Sequence, residues 1–171
     1  MLRIWVVVIV MICTLTGCQD DQPTIPDLKW FATKEEAIAK GLSQEGAAPD
    51  AMLAEEQRNA ETLVFYEYSD GLGVASIAES AAGYSWYRSH DYIAFQGKDV
   101  PLMYGGLAFT TYKGQKLKVI TGRVYDPSIL KIRLKGDAAD RELSILGRSR
   151  LFYSVHEVPL SRLEVVPISG V

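Results

Sequence analysis

Thr62-Leu63-Val64-Phe65-Tyr66-Glu67-Tyr68, then Ser69-Asp70-Gly71, then Leu72-Gly73-Val74-Ala75-Ser76-Ile77-Ala78-Glu79 is the stretch that decides the fold. Two runs rich in β-branched and aromatic residues, joined by a short turn, read as an antiparallel hairpin. The same grammar continues downstream. A turn at Ala81-Ala82-Gly83 leads into a long strand from Tyr84 to Phe95. Strands over Leu107–Tyr112 and Gln115–Tyr125 flank a Lys113-Gly114 turn, and Asp126-Pro127 breaks the chain. Ile129 to Lys135 alternates apolar and basic residues, which places Leu130, Ile132 and Leu134 inward. Short strands at Glu142–Ile145, Leu151–His156 and Leu163–Ile168 complete the pattern.

Upstream, one helix is written into the sequence. Thr33-Lys34-Glu35-Glu36 has the form of a capping box, with Thr33 as N-cap and Glu36 three residues on. Ala37, Ile38 and Leu42 supply its apolar face, and Gly41, Gly46 and Pro49 end it. Residues 51–58 have helical propensity in Ala-Met-Leu-Ala-Glu-Glu but run into a turn at Asn59-Ala60, and they read as strand. The fold class is α+β and mainly β. A helix and an antiparallel meander over residues 30–98 precede a β-sandwich-like, immunoglobulin-like lobe over residues 99–171.

The N-terminus sets the compartment. Arg3 is the only charge before an apolar run from Ile4 to Ile12 that continues through Leu15. This is the form of a secretory signal, and it falls short of the roughly 20 apolar residues that span a bilayer. The run ends in Leu15-Thr16-Gly17-Cys18, which resembles the bacterial lipobox. Residues 1–17 then form the signal, and Cys18 becomes the first mature residue, its thiol carrying diacylglycerol. Two acyl chains at about 0.8 kcal/mol per buried methylene give a stable membrane anchor. Residues 18–29, with Pro23 and Pro26, read as a tether. Cys13 leaves with the signal, so the mature chain has no disulfide and holds its fold by burial alone.

Charge is polarised along the chain. Residues 18–99 carry 6 basic and 15 acidic side chains, whereas residues 100–171 carry 11 and 6. Such asymmetry points to two lobes or faces that meet different surroundings.

Catalytic signals are sparse. The only histidines are His90 and His156. Ser89-His90-Asp91 spells a triad in a row, but strand neighbours face opposite ways and triads are assembled by geometry. No set of His, Cys, Asp and Glu has metal-ligand spacing, and no cofactor is expected beyond the lipid on Cys18. Two binding surfaces stand out. On the strand from Tyr84, alternation puts Tyr84, Trp86, Arg88, His90 and Tyr92 on one face, with Trp86, Arg88, His90 and Tyr92 as candidate ligand contacts. On Ile129–Lys135, the basic stripe Lys131, Arg133 and Lys135 is a candidate for anionic surfaces such as wall polymers or lipid headgroups.

Phe31-Ala32-Thr33-Lys34-Glu35-Glu36-Ala37, Phe65-Tyr66-Glu67-Tyr68, Ser85-Trp86-Tyr87-Arg88 and Leu151-Phe152-Tyr153-Ser154-Val155-His156-Glu157, together with the lipobox, resemble small uncharacterised lipoproteins of Gram-positive bacilli. The resemblance implies the outer face of a cell membrane and carries no known activity. The expectation is a lipid-anchored, non-enzymatic binding or accessory protein of the envelope, meeting an envelope protein or an anionic wall polymer and no nucleic acid. Two other classes are open: a hydrolase using His90 or His156 with a distant carboxylate, and a structural or inhibitory domain that covers a partner.

Overall fold

The computed structural model describes residues 27–97 and 99–170. The expected signal, Cys18 and most of the expected tether lie outside the described residues. The body is tied down from Lys29: Lys29 O accepts a 2.8 Å hydrogen bond from Ser85 Oγ, and Phe31 bridges to Tyr84.

Helix α1 spans Lys34–Glu45. Thr33 Oγ1 accepts from the Glu36 amide, and Gly46 closes the helix in the left-handed region at φ 73°. Strands β1 (Met52–Arg58), β2 (Glu61–Tyr68), β3 (Gly71–Ser80) and β4 (Gly83–Tyr87) form an antiparallel sheet in that order, and β5 (Ile93–Ala94) pairs with the start of β3. The β2–β3 turn falls at Ser69-Asp70, both at positive φ, as a tight hairpin requires. A second sheet has the order β10-β7-β6, from β6 (Leu102–Thr110), β7 (Lys116–Val124) and β10 (Leu151–His156). A third has the order β11-β8-β9, from β8 (Ile129–Lys135), β9 (Arg141–Ser144) and β11 (Glu164–Ser169). All pairings are antiparallel. The molecule is therefore α+β and mainly β.

Three apolar cores stack these layers. Ile38 and Leu42 of α1 pack on Val64, Tyr66, Ala75, Ile77 and Trp86 of the first sheet. The opposite face of that sheet, with Leu63, Phe65, Leu72 and Val74, packs on Leu107, Phe109, Leu117, Val119 and Val155 of the second. Burial on both sides explains why β2 and β3 read as continuous apolar runs instead of alternating. The third core joins Val124 and Phe152 of the second sheet to Ile129 and Ile132 on β8. The middle core draws on β2 and β3 from the first part of the chain and on β6, β7 and β10 from the second.

Three expectations are corrected. The long strand from Tyr84 to Phe95 stops at Tyr87, because Arg88 folds back to donate to His90 O (2.7 Å) and closes a loop before β5. Strand β6 begins at Leu102 instead of Leu107, so Gly105 and Gly106 sit within it. On β8, Ile132 and Leu134 are buried as expected, but Leu130 is 59% exposed and Ile129 takes the inward place. The cause is an extra residue in β8 itself: Lys131 and Ile129 pair with the adjacent Ile168 and Ser169, so the register passes over Leu130 and the parity shifts at that end.

Candidate functional site

Of the face predicted from alternation, only Tyr84 and Trp86 lie on β4, and they pack against α1. Trp86 is 8% exposed and lies against the helix backbone at Gly41, where a Cβ would enter the indole ring. Tyr66 packs beside it at 5.4 Å between ring centroids. Glu45, in the last turn of α1, accepts from Trp86 Nε1 (3.2 Å) and from Arg88 Nε (2.8 Å). Trp86 and Arg88 are therefore spent on holding the helix to the sheet. Tyr92 stands edge-on to Tyr68 at 4.8 Å and is partly open. His90 is exposed, with Nδ1 2.9 Å from the Asp91 carbonyl. The four residues do not converge on one site.

The basic stripe is on the surface and paired. Lys131 and Arg133 both reach Glu142 on β9, at 2.9 and 3.2 Å, and Lys135 reaches Glu164 on β11 at 3.4 Å. Two cations on one carboxylate hold the Glu142 carboxyl below its usual range, by the Lys131 hydrogen bond first and the Arg133 bond second. Cross-strand register places these acids opposite the bases, so the stripe is a charge-laced solvent face. His156 is buried, with Nδ1 2.8 Å from Val158 O. Each histidine thus makes its recorded contact with a backbone carbonyl, which is not the acid–imidazole dyad a hydrolase needs. Among the described residues no group of three or more His, Cys, Asp and Glu is placed to hold a metal ion. No helix among them is long and apolar enough to cross a membrane.

A polar assembly that joins distant parts of the chain lies elsewhere. The β2–β3 turn meets the loop between β9 and β10 at a buried serine. Ser149 Oγ lies 2.5 Å from Glu67 Oε1 and 2.7 Å from Asp70 Oδ1, so one hydroxyl hydrogen serves two carboxylates. Glu67 also accepts from the amides of Arg148 (2.9 Å) and Ser149 (3.1 Å). Arg123 of β7 pairs with Asp70 at 3.0 Å while its guanidinium lies over the Tyr125 ring. The Ser149 hydrogen bond, and then Arg123, hold the Asp70 carboxyl below the usual carboxylate range. Gly147 permits the approach: it sits at φ 69°, and a Cβ there would strike the Glu67 carboxylate.

Beside this network opens a cleft of about 630 Å³, walled by the end of α1 at Gly46 and Ala47, by Met52 and Tyr68, and by Asp70 and Arg148. Its rim carries both signs, through an exposed Arg148–Asp50 pair at 2.5 Å, and Met52 is 44% exposed. Ser149 is not a nucleophile in waiting, because it is buried and faces carboxylates with no histidine beside it. The cleft offers a mixed apolar and charged contact surface. Sequence reading passed over it because its parts lie about 80 positions apart, and Gly147-Arg148-Ser149-Arg150 carries no motif.

No family model matches the chain, no curated protein matches its sequence, and no solved structure matches its fold. The likeness to bacillar lipoproteins therefore rests on the sequence alone.

Proposed function

We propose that this chain is an exported lipoprotein, held at the outer face of a cell membrane by diacylglycerol on Cys18. Its β-rich body serves as a non-enzymatic binding or accessory module of the envelope. The observation that carries the reading is the order of its N-terminus: an apolar run, then Leu15-Thr16-Gly17-Cys18, then a polar stretch with two prolines, and then a body tied down from Lys29. A tether from residue 18 to residue 29, at roughly 3.3 Å per residue, would let that body stand up to about 35 Å from the bilayer.

The surface chemistry favours a protein partner over an anionic polymer. Glu142 and Glu164 offset the Lys131, Arg133 and Lys135 stripe, which a polyanion would need free. The cleft beside Asp70, with Met52 exposed and Asp50 paired to Arg148 at its rim, suits a surface of mixed sign with an apolar anchor. In-cell crosslinking of the full-length protein, with partners read by mass spectrometry, tests this. One dominant envelope protein is expected, lost with Cys18→Ser and reduced with Arg148→Glu. A partner set indifferent to both substitutions counts against the reading.

A further inference from the structure

Sheet edges expose unpaired backbone groups, and proteins protect them with charge, proline, bulges, short length or cover. Nearly every edge here is protected in one of these ways. Strand β1 carries Glu55, Glu56 and Arg58 and has an irregular register at Met52. Strand β4 is 5 residues long and bridged by Phe31, and β5 has 2 residues. Strand β9 has 4 residues, two of them charged. On β10, Leu151 is bridged by Leu146, and Val155 O accepts from Arg141. Strand β11 holds Pro167.

Over Leu102–Phe109, strand β6 has none of these devices. Its 9 residues, Leu-Met-Tyr-Gly-Gly-Leu-Ala-Phe-Thr, include no charge and no proline, and its register with β7 is unbroken. The hydrogen bonds at its two ends fix the phase. Tyr125 N–H donates to Pro101 O, and Thr111 N–H donates to Gln115 O, so odd-numbered residues bond to β7. Leu102, Tyr104, Gly106, Ala108 and Thr110 then turn their N–H and C=O outward. Among the described residues only the Thr110 amide finds a partner there, Ser89 Oγ at 3.0 Å. Apolar side chains gather along the same border. Tyr104 is 50% exposed, Val100 42%, and Leu160, 38% exposed, leans over Gly106.

We propose that β6 is a self-association edge, on which a second copy of this chain pairs its own β6 in antiparallel register. The absence of charge favours a second copy, since identical strands can oppose each other without like charges meeting. A two-fold axis at Gly106 sets Tyr104 against Ala108 of the second copy, large against small, twice. It also brings both Leu160 side chains to the shared border, so the patch is complementary to itself, as a two-fold contact requires. Two three-stranded sheets become one continuous sheet. One strand edge with three apolar side chains per copy falls at the low end of stable interfaces, about 1,200 Å², so the dimer is reversible. The proposal is independent of the lipid anchor.

Light scattering of the full-length chain over a concentration series tests it. The mass is expected to rise from one chain to two. Ala108→Pro deletes one outward N–H per copy and no bond to β7, and about 1 kcal/mol per lost hydrogen bond predicts a dissociation constant about thirtyfold weaker. Tyr104→Lys, at an exposed site, is expected to weaken pairing at least as much. Thermal melts of both variants establish that they fold. A wild-type chain that stays single throughout, or a dimer unchanged in both folded variants, overturns the proposal.

Discussion

Gly41→Ala sets two physical effects against each other in α1. In an open helix interior, alanine in place of glycine adds about 1 kcal/mol of stability. Here the new methyl would occupy the space of the Trp86 ring. That ring cannot move aside at low cost, because Glu45 holds its Nε1 and Tyr66 packs on it. The helix must lift, at a penalty of about 2–3 kcal/mol, the upper part of the range for overpacking. It would also loosen Ile38 and Leu42 from the sheet. Packing is expected to win, with a net loss of about 1–2 kcal/mol after the propensity gain. In a chain of this size that lowers Tm by roughly 3–8 °C, readable by circular dichroism. Gly41→Ala combined with Trp86→Leu removes the obstructing ring and should be less destabilised than the sum of the two single changes. A Gly41→Ala protein as stable as the parent, or more so, would refute the claim that this glycine exists for the indole.

Other consequences follow from the polar networks. Ser149→Ala removes the hydroxyl shared by Glu67 and Asp70 and should cost about 1–3 kcal/mol, seen as a lower urea midpoint at unchanged slope. Asp70 has a folded pKa below its ordinary 3.8, so its contribution is complete above that value and is lost as pH falls through the folded pKa. Asp70→Asn should therefore reduce stability at neutral pH and flatten the acid limb of a stability–pH curve, and an unchanged limb would contradict the pairing. Glu61, 3% exposed, accepts from Thr111 Oγ1 (2.5 Å) and the Lys113 amide (3.0 Å), pinning the β6–β7 turn to the start of β2. Glu61→Gln should cost about 1–3 kcal/mol by equilibrium unfolding and should raise amide exchange at Lys113.

What could be read in advance was local. The Thr33 cap and Gly46 stop are chemistry within a few residues, and α1 lies where they put it. The Ser69-Asp70-Gly71 turn and the runs around it mark β2 and β3 for the same reason. Strand β8 keeps its expected bounds, but the orientation of Leu130 depends on how β8 bulges against its partner β11, more than 30 residues away. Alternation gave Trp86 and Arg88 a common face without revealing that α1 lies on it, since nothing near residue 86 encodes Glu45. The Glu67–Ser149–Asp70 network joins residues about 80 apart and has no local signature.

The central claim is the lipid on Cys18, because the compartment and the search for a partner both depend on it. Mass spectrometry of the N-terminal peptide from membrane-extracted protein measures it directly. A mature chain beginning at Cys18 and carrying diacylglycerol, lost with Cys18→Ser, is the predicted result. An unmodified Cys18, or a chain that still begins at Met1, would contradict it.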